Sequence, residues 1–193
     1  LQESSRKITG KIKQNYMKTQ SLYQKAIKFA AAKHAAQNQT IPCTNLPYVV
    51  HLSNVAMEIL IASFHSENFD LGFAVQVALL HDTLEDTSTT FEELETKFGV
   101  EIAKGVLALT KNEKLPKEEQ IKDCLKRIKL LQSEVWAVKL ADRITNLQPP
   151  PPHWSKERKI NYRDEARLIV SELRDDNEYL ARRLEEKIEE YGR

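Results

Sequence analysis

Apolar residues recur three and four positions apart along most of the chain, and no stretch alternates strictly between apolar and polar, so the pattern predicts an all-α protein of about eight to ten helices. From Ser21 to Gln37, Leu22, Ala26, Ile27, Phe29 and Ala30 share one side of a helix. The polar, proline-broken run NQTIPCTNLP that follows reads as a loop. Tyr48 to His65 is predicted helical, with Val55, Ile59 and Ala62 recurring. Leu71 to Leu84 is an almost wholly apolar helix, which belongs at the centre of the molecule. Thr89 is expected to begin the next helix, because Glu92 follows it at the spacing of a capping box. Further helices are expected over Val100–Thr110, Lys117–Leu131, Ser133–Gln148, Ser155–Arg174 and Asp176–Tyr191. The four prolines Pro149 to Pro152 cannot continue a helix and force an extended connector. No repeat is visible that would suggest a solenoid.

Composition narrows the class. With 193 residues, 41% of them apolar and 30% charged, the chain is long enough to bury a core of its own, and a single domain over residues 1–193 is expected, with 1–20 as an N-terminal extension or helix. Twenty-nine Lys and Arg against 28 Asp and Glu leave a net charge of +1, so nothing in the charge balance calls for nucleic acid or a membrane surface as partner. Any anionic ligand must be caught locally. Cys43 and Cys124 show no CxxC spacing or disulfide framework, which suits a reducing cytoplasm. No apolar run approaches the roughly 18 to 20 residues that span a bilayer, and LQESSRKITGK at the start lacks a signal-peptide core. A cytoplasmic location is therefore expected, although a chain that starts at Leu1 leaves its natural start open.

Candidate chemistry is concentrated in ALLHDTLEDT, residues 78–87. An apolar run meets one imidazole and three carboxyl groups, and ionisable groups beside a core are costly unless partners or a metal compensate them. Glu85 follows His81 by four positions and Asp82 by three, and Asp86 follows Asp82 by four, so the four side chains share one sector of a helical turn. A lone His-Asp pair is more often an ordinary surface pair. Two further residues stand in similar settings: His51 in PYVVHLSNVA, and Asp142 in AVKLADRITNL with Asn146 one turn later. Two imidazoles with two carboxylates suit Mn²⁺ and tolerate Fe²⁺, Co²⁺ or Zn²⁺. Water bound to such an ion becomes a nucleophile at neutral pH. Lys33, Lys139, Arg143 and Arg158 are cations at plausible positions for a polyphosphate, or else simply solvated. His34 is a phosphate contact or a packed histidine, His65 a helix-end residue, and His153 with Trp154 a loop anchor or a cap on the active-site mouth.

The separated His, the adjacent His-Asp and the distant Asp resemble the signature of the HD superfamily of metal-dependent phosphohydrolases. More narrowly, AAAKH, PYVVH, ALLHDTLEDTSTT, KFG, VKLADRITNL and WSKER resemble, in order, the hydrolase domain of RelA/SpoT enzymes and the stand-alone small alarmone hydrolases, including the animal Mesh1 type. The likeness runs from about Ser21 to Tyr191. It implies a helical HD-domain fold, His51, His81, Asp82 and Asp142 as ligands of Mn²⁺, and Glu85 and Asp86 as the pair that orients and deprotonates the attacking water. It also implies nucleotide or phosphate contacts at Lys33, Asn146, Arg158 and Tyr162. The implied reaction removes pyrophosphate from the 3′ position of guanosine tetra- or pentaphosphate, without a covalent intermediate. Two positions depart from the pattern. Asn38-Gln39-Thr40 stands where the family carries a basic Arg-Lys pair whose Arg stacks on guanine, and Leu52 replaces the usual Pro. The same chemistry on another nucleotide, an adenosine alarmone or a 2′- or 3′-phosphorylated one, therefore stays open, as does a nucleotide-binding sensor without turnover.

Overall fold

The structure, a computed structural model, describes the backbone of residues 2–191 and the side chains of residues 17–191 other than 176. Among the described residues the elements are α1 (Gln2–Ala36), α2 (Val49–Ala62), a 3-10 turn (Ser63–His65), α3 (Leu71–Leu80), α4 (Thr83–Asp86), α5 (Phe91–Phe98), α6 (Val100–Leu109), α7 (Lys117–Ile128), α8 (Ser133–Asn146), α9 (Lys156–Leu173), a second 3-10 turn (Arg174–Asp176) and α10 (Glu178–Glu190). The fold is all-α. Extended pairing among these residues is confined to one isolated antiparallel bridge, Thr40 with Pro47.

Helix α3 is the axis of the molecule because it has no polar face to offer to water. Residues 74–80 are all buried, and α3 packs against α1, α2, α6 and α8 at once. Leu52 and Ile59 from α2, Leu140 and Ile144 from α8, Ile169 and Leu173 from α9 and Leu180 and Leu184 from α10 complete one continuous apolar cluster. Gly105 lets α6 come close: a Cβ there would stand 3.2 Å from Val77 Cγ2 and 3.4 Å from Val135 Cγ2.

Three local expectations are corrected. The long apolar helix expected over Leu71–Leu84 is interrupted: α3 stops at Leu80, Asp82 adopts φ −98° and ψ 0°, and α4 resumes at Thr83. The break satisfies its own backbone, since His81 Nδ1 donates to the Ala78 carbonyl at 2.7 Å and Thr83 Oγ1 to the Leu80 carbonyl at 2.6 Å. Carbonyls left over at the end of α3 thus find side-chain donors. The second correction is one of register. Thr90, not Thr89, caps α5, accepting the Glu93 N–H, while Thr89 is buried and bonds Thr87. The third concerns the N-terminus: α1 runs through the expected boundary near Ser21 without a break, and the side chains of residues 1–16 lie outside the described residues.

The expected loops are found. Positive φ at Asn38 (52°) and Cys43 (63°) lets the chain turn after α1, and Ile41 N–H donates to the Leu46 carbonyl at 3.0 Å to close it. The proline connector ends at Ser155, whose side chain caps α9 by accepting the Arg158 N–H. Because Gly105 sits where three helices meet, Gly105→Val should overpack the crossing and destabilise the protein by about 1–3 kcal/mol, read as a lower urea midpoint with the helical circular-dichroism signal retained.

Candidate metal centre

Three separate segments deliver the four expected metal ligands. His51 stands on the first turn of α2, His81 and Asp82 occupy the break between α3 and α4, and Asp142 lies one turn before the end of α8. His51, His81 and Asp142 are 5%, 3% and 7% exposed. Their donor atoms converge: His51 Nε2 is 3.4 Å from His81 Nε2 and 3.4 Å from Asp142 Oδ1, and His81 Nε2 is 3.6 Å from Asp142 Oδ1. These three offer one ligand atom each within 4.8 Å of one another. Asp82 stands at the rim of that group. Its Oδ2 is 2.9 Å from His81 Nε2 and 3.7 Å from His51 Nε2, and it also accepts the Tyr48 hydroxyl at 2.5 Å.

The orientation of the two imidazoles tests whether a cation fits. His81 Nδ1 donates to the Ala78 carbonyl, which in the neutral ring leaves Nε2 as a bare lone pair. His51 Nδ1 lies 3.4 Å from Thr145 Oγ1, whose own proton goes to the Asp142 carbonyl at 2.9 Å, so His51 is the donor in that contact and its Nε2 is bare as well. Two lone pairs facing each other beside a carboxylate repel unless a proton or a cation stands between them. Outer hydrogen bonds that set the imidazole tautomer in this way are the usual support of a metal-ligating histidine.

Without a cation, a proton takes that place. Burial by itself would strip the proton from His81, but Asp82 and Asp142 outweigh it and hold the imidazolium well above its ordinary range. Burial would likewise raise Asp142, yet Lys139, with His51 and His81, holds it well below the usual carboxylate range. Lys139 is 5% exposed and its Nζ lies 3.3 Å from Asp142 Oδ2, while Asn146 Nδ2 donates to Asp142 Oδ1 at 2.5 Å. Asn146 thus shares the cavity of Asp142, as its one-turn spacing suggested. Lys139 stands behind the carboxylate as its buried counter-charge.

Glu85 and Asp86 lie on α4, immediately beyond the break. Glu85 is clamped by Lys111, whose backbone N–H donates to Oε2 at 3.0 Å and whose Nζ meets Oε1 at 2.8 Å. Partial burial, reinforced by Asp82 and Glu85, holds the Asp86 carboxyl above its usual range against the opposing bond from Gln39. The expected substrate residues are more scattered. Lys33 is paired with Glu93 at 2.6 Å, Arg158 lies over the Trp154 ring at 4.1 Å, and Tyr162 packs edge-on against Trp154 and under the Arg143 guanidinium. Arg143 is 4% exposed and bonds Glu165. His65 stacks on Tyr179 at 4.4 Å, away from the candidate ligands. Sequence reasoning missed Tyr48, Lys111 and Gln39. Tyr48 stands three before His51 and so on the same side of a helical turn, but Lys111 and Gln39 carry no local signal of their role.

A family model described as an HD domain matches residues 26–175. The chain belongs to the HD-domain family. Within it, the chain groups with Mesh1-type proteins. The guanosine-3′,5′-bis(diphosphate) 3′-pyrophosphohydrolase MESH1 of Danio rerio is 36% identical over 170 residues, covering 86% of this chain and 92% of that protein. Its Homo sapiens counterpart is 33% identical over 176 residues, covering 86% and 93%. A solved structure of a metazoan ortholog of SpoT, described as hydrolysing ppGpp and playing a role in starvation responses, superimposes with a TM-score of 0.74 at 28% identity, over 89% of this chain and 96% of that one. An HD domain implies a divalent metal, and His51, His81 and Asp142 are the group that could hold it here. No helix among the described residues of this HD domain is long and apolar enough to cross a membrane.

Two outcomes follow from the charges of the metal-free site. Because His81 holds its proton more tightly folded than unfolded, its contribution to stability is full below pH 6.5 and is lost as pH rises through the raised value. A metal ion must expel that proton. Divalent-ion affinity should therefore climb with pH until the raised value of His81 is passed and level off above it, with proton release below it, measured by titration calorimetry in buffers of different ionisation enthalpy. Separately, Asp142→Asn strips the buried Lys139 of its counter-charge and should lower the stability of the metal-free protein by roughly 3–5 kcal/mol in a urea melt.

Proposed function

We propose that this chain hydrolyses the 3′-pyrophosphate of guanosine 3′,5′-bis(diphosphate) and of the corresponding pentaphosphate, with Mn²⁺ held by His51, His81, Asp82 and Asp142. One observation carries the reading: the Nε2 atoms of His51 and His81 and the Asp142 carboxylate face a common point, with Glu85 and Asp86 on the next turn of chain. Its substrate is that of the relatives' activity, named for proteins 31–36% identical over most of their length. Mixed imidazole and carboxylate donors are the reason for choosing Mn²⁺.

With the ion in place of the His81 proton, His51 and His81 would present their Nε2 lone pairs, because Thr145 and Ala78 accept the protons on Nδ1. When bound, the ion supplies Lewis-acid polarisation of a phosphoryl oxygen and lowers the pKa of a water. Asp86, open to solvent on one side and raised in pKa, accepts the proton of the attacking water, and Glu85, fixed by Lys111, orients that water. One water is consumed: its hydroxyl joins the pyrophosphate and its proton goes to the 3′ oxygen, leaving guanosine 5′-diphosphate from the tetraphosphate or guanosine 5′-triphosphate from the pentaphosphate. Lys33 and Arg158 serve the phosphates by exchanging Glu93 and Trp154 for substrate, and Asn146 and Tyr162 serve as further substrate contacts. Lys139 and Arg143, both buried, act one layer back, on Asp142 and on Tyr162. The reading takes the chain as one domain in a reducing cytoplasm, where the exposed thiol of Cys43 stays free.

The test is pyrophosphate release with and without Mn²⁺, on guanosine tetraphosphate beside its adenosine counterpart and a simple monophosphate. Asp82→Ala should lose bound metal and turnover together, whereas Glu85→Gln should keep its metal and lose turnover by about a hundredfold or more. Equal release from all three substrates would overturn the assignment.

A further inference from the structure

The loop between α1 and α2 reaches into the site through a residue that the proposed mechanism has not used. Gln39 is half-buried, and every polar group it owns is engaged. Its N–H donates to the His34 carbonyl at 3.1 Å, and its carbonyl accepts the Tyr48 N–H at 3.2 Å. Its side-chain Nε2 donates to Asp86 Oδ2 at 2.8 Å, and its Oε1 meets His34 Nδ1 at 2.5 Å.

Hydrogen-bond capacity fixes the direction of this chain. An ionised carboxylate only accepts, so the amide nitrogen must face Asp86 and the amide oxygen His34. His34 must then donate from Nδ1. Its ring is 1% exposed, packs against the Tyr48 ring at 4.7 Å, and is kept neutral by burial, which pulls its pKa down. The neutral ring with a proton on Nδ1 leaves Nε2 as a lone pair, and that buried atom has no partner in the protein. A histidine held in this tautomer, with its other nitrogen unsatisfied, is an expensive way to fill a core position. Its return is a fixed amide.

We infer that His34 and Gln39 form a positioning relay for Asp86: the imidazole orients the amide, and the amide holds Oδ2 so that Oδ1 is left to take the proton of the attacking water. This rests on the role proposed above for Asp86. The relay joins three segments, the end of α1, the loop bridge and α4, none of which touches the metal ligands through these side chains. Gln39 acts on the rate and not on the ion. Neither residue is placed against substrate.

Two measurements on the full chain test it. Steady-state kinetics with Mn²⁺ and guanosine tetraphosphate should show Gln39→Met and Gln39→Glu lowering kcat by roughly tenfold or more with KM within about twofold and metal content unchanged, because only the alignment of the proton acceptor is lost. A kcat within twofold of wild type in Gln39→Met, or a loss confined to KM, would overturn the relay. Nitrogen-15 NMR of the ring gives a readout independent of turnover. His34 should show the Nδ1–H tautomer in the wild type and move toward Nε2–H in Gln39→Met, whereas an Nε2–H or unchanged signature would refute the geometry. Should the wild type release no pyrophosphate while the tautomer shift is seen, the proposed substrate fails and the hydrogen-bonded relay stands.

Discussion

Everything at the centre of this molecule depends on two histidine nitrogens being made to face each other. A neutral imidazole does not choose that arrangement, since the facing lone pairs repel and a nearby carboxylate adds to the repulsion. Here the arrangement is enforced from behind, by the Ala78 carbonyl on one ring and the Thr145 hydroxyl on the other. The enforcing groups belong to α3 and α8, the most deeply buried helices of the fold. A core that cannot relax keeps both nitrogens aimed at one point, where a proton or a cation relieves the repulsion.

The helix break after Leu80 serves the same end. An uninterrupted α3 would point His81 and Asp82 about 100° apart and carry Glu85 and Asp86 on in the same direction. Stopping the helix lets His81 turn inward to the Ala78 carbonyl while Asp82 takes the bridge conformation with Oδ2 2.9 Å from His81 Nε2, and α4 begins a fresh turn. The dangling carbonyls are taken up by His81 and Thr83, residues already in the motif. Chemistry and chain geometry are therefore solved by the same side chains.

Around the candidate ligands stands a layer of groups that pair with the acidic side chains. Lys139 balances Asp142, Tyr48 donates to Asp82, Lys111 clamps Glu85, and Gln39 links Asp86 to His34. Each acidic side chain of the site has its own partner, which is how four carboxylates can be gathered at one place without mutual repulsion unfolding it. The loop after α1 thereby becomes part of the site.

Helix content, the central place of residues 71–80, the two loops and the candidate ligands His51, His81 and Asp142 were all readable along the chain. Each depends on spacings of a few residues or on the chemistry of a single side chain: a helix with no polar face must be buried, and prolines in a row cannot be helical. The break at residues 81–82 was not readable, because an apolar run continuing into Leu84 has helical periodicity whether or not two side chains have captured the preceding carbonyls. Nor was the partner of any site carboxylate. Gln39 and Asp86 are 47 positions apart, and Lys111 and Glu85 are 26 apart. Separations of that size are set by how α1, α3, α6 and α8 pack together, since the pairing of distant side chains is a property of the packed core and leaves no trace in local spacing. Which residues could hold an ion was determined by the sequence; that they share one point, and what steadies the groups beside them, was decided only when the helices closed around α3.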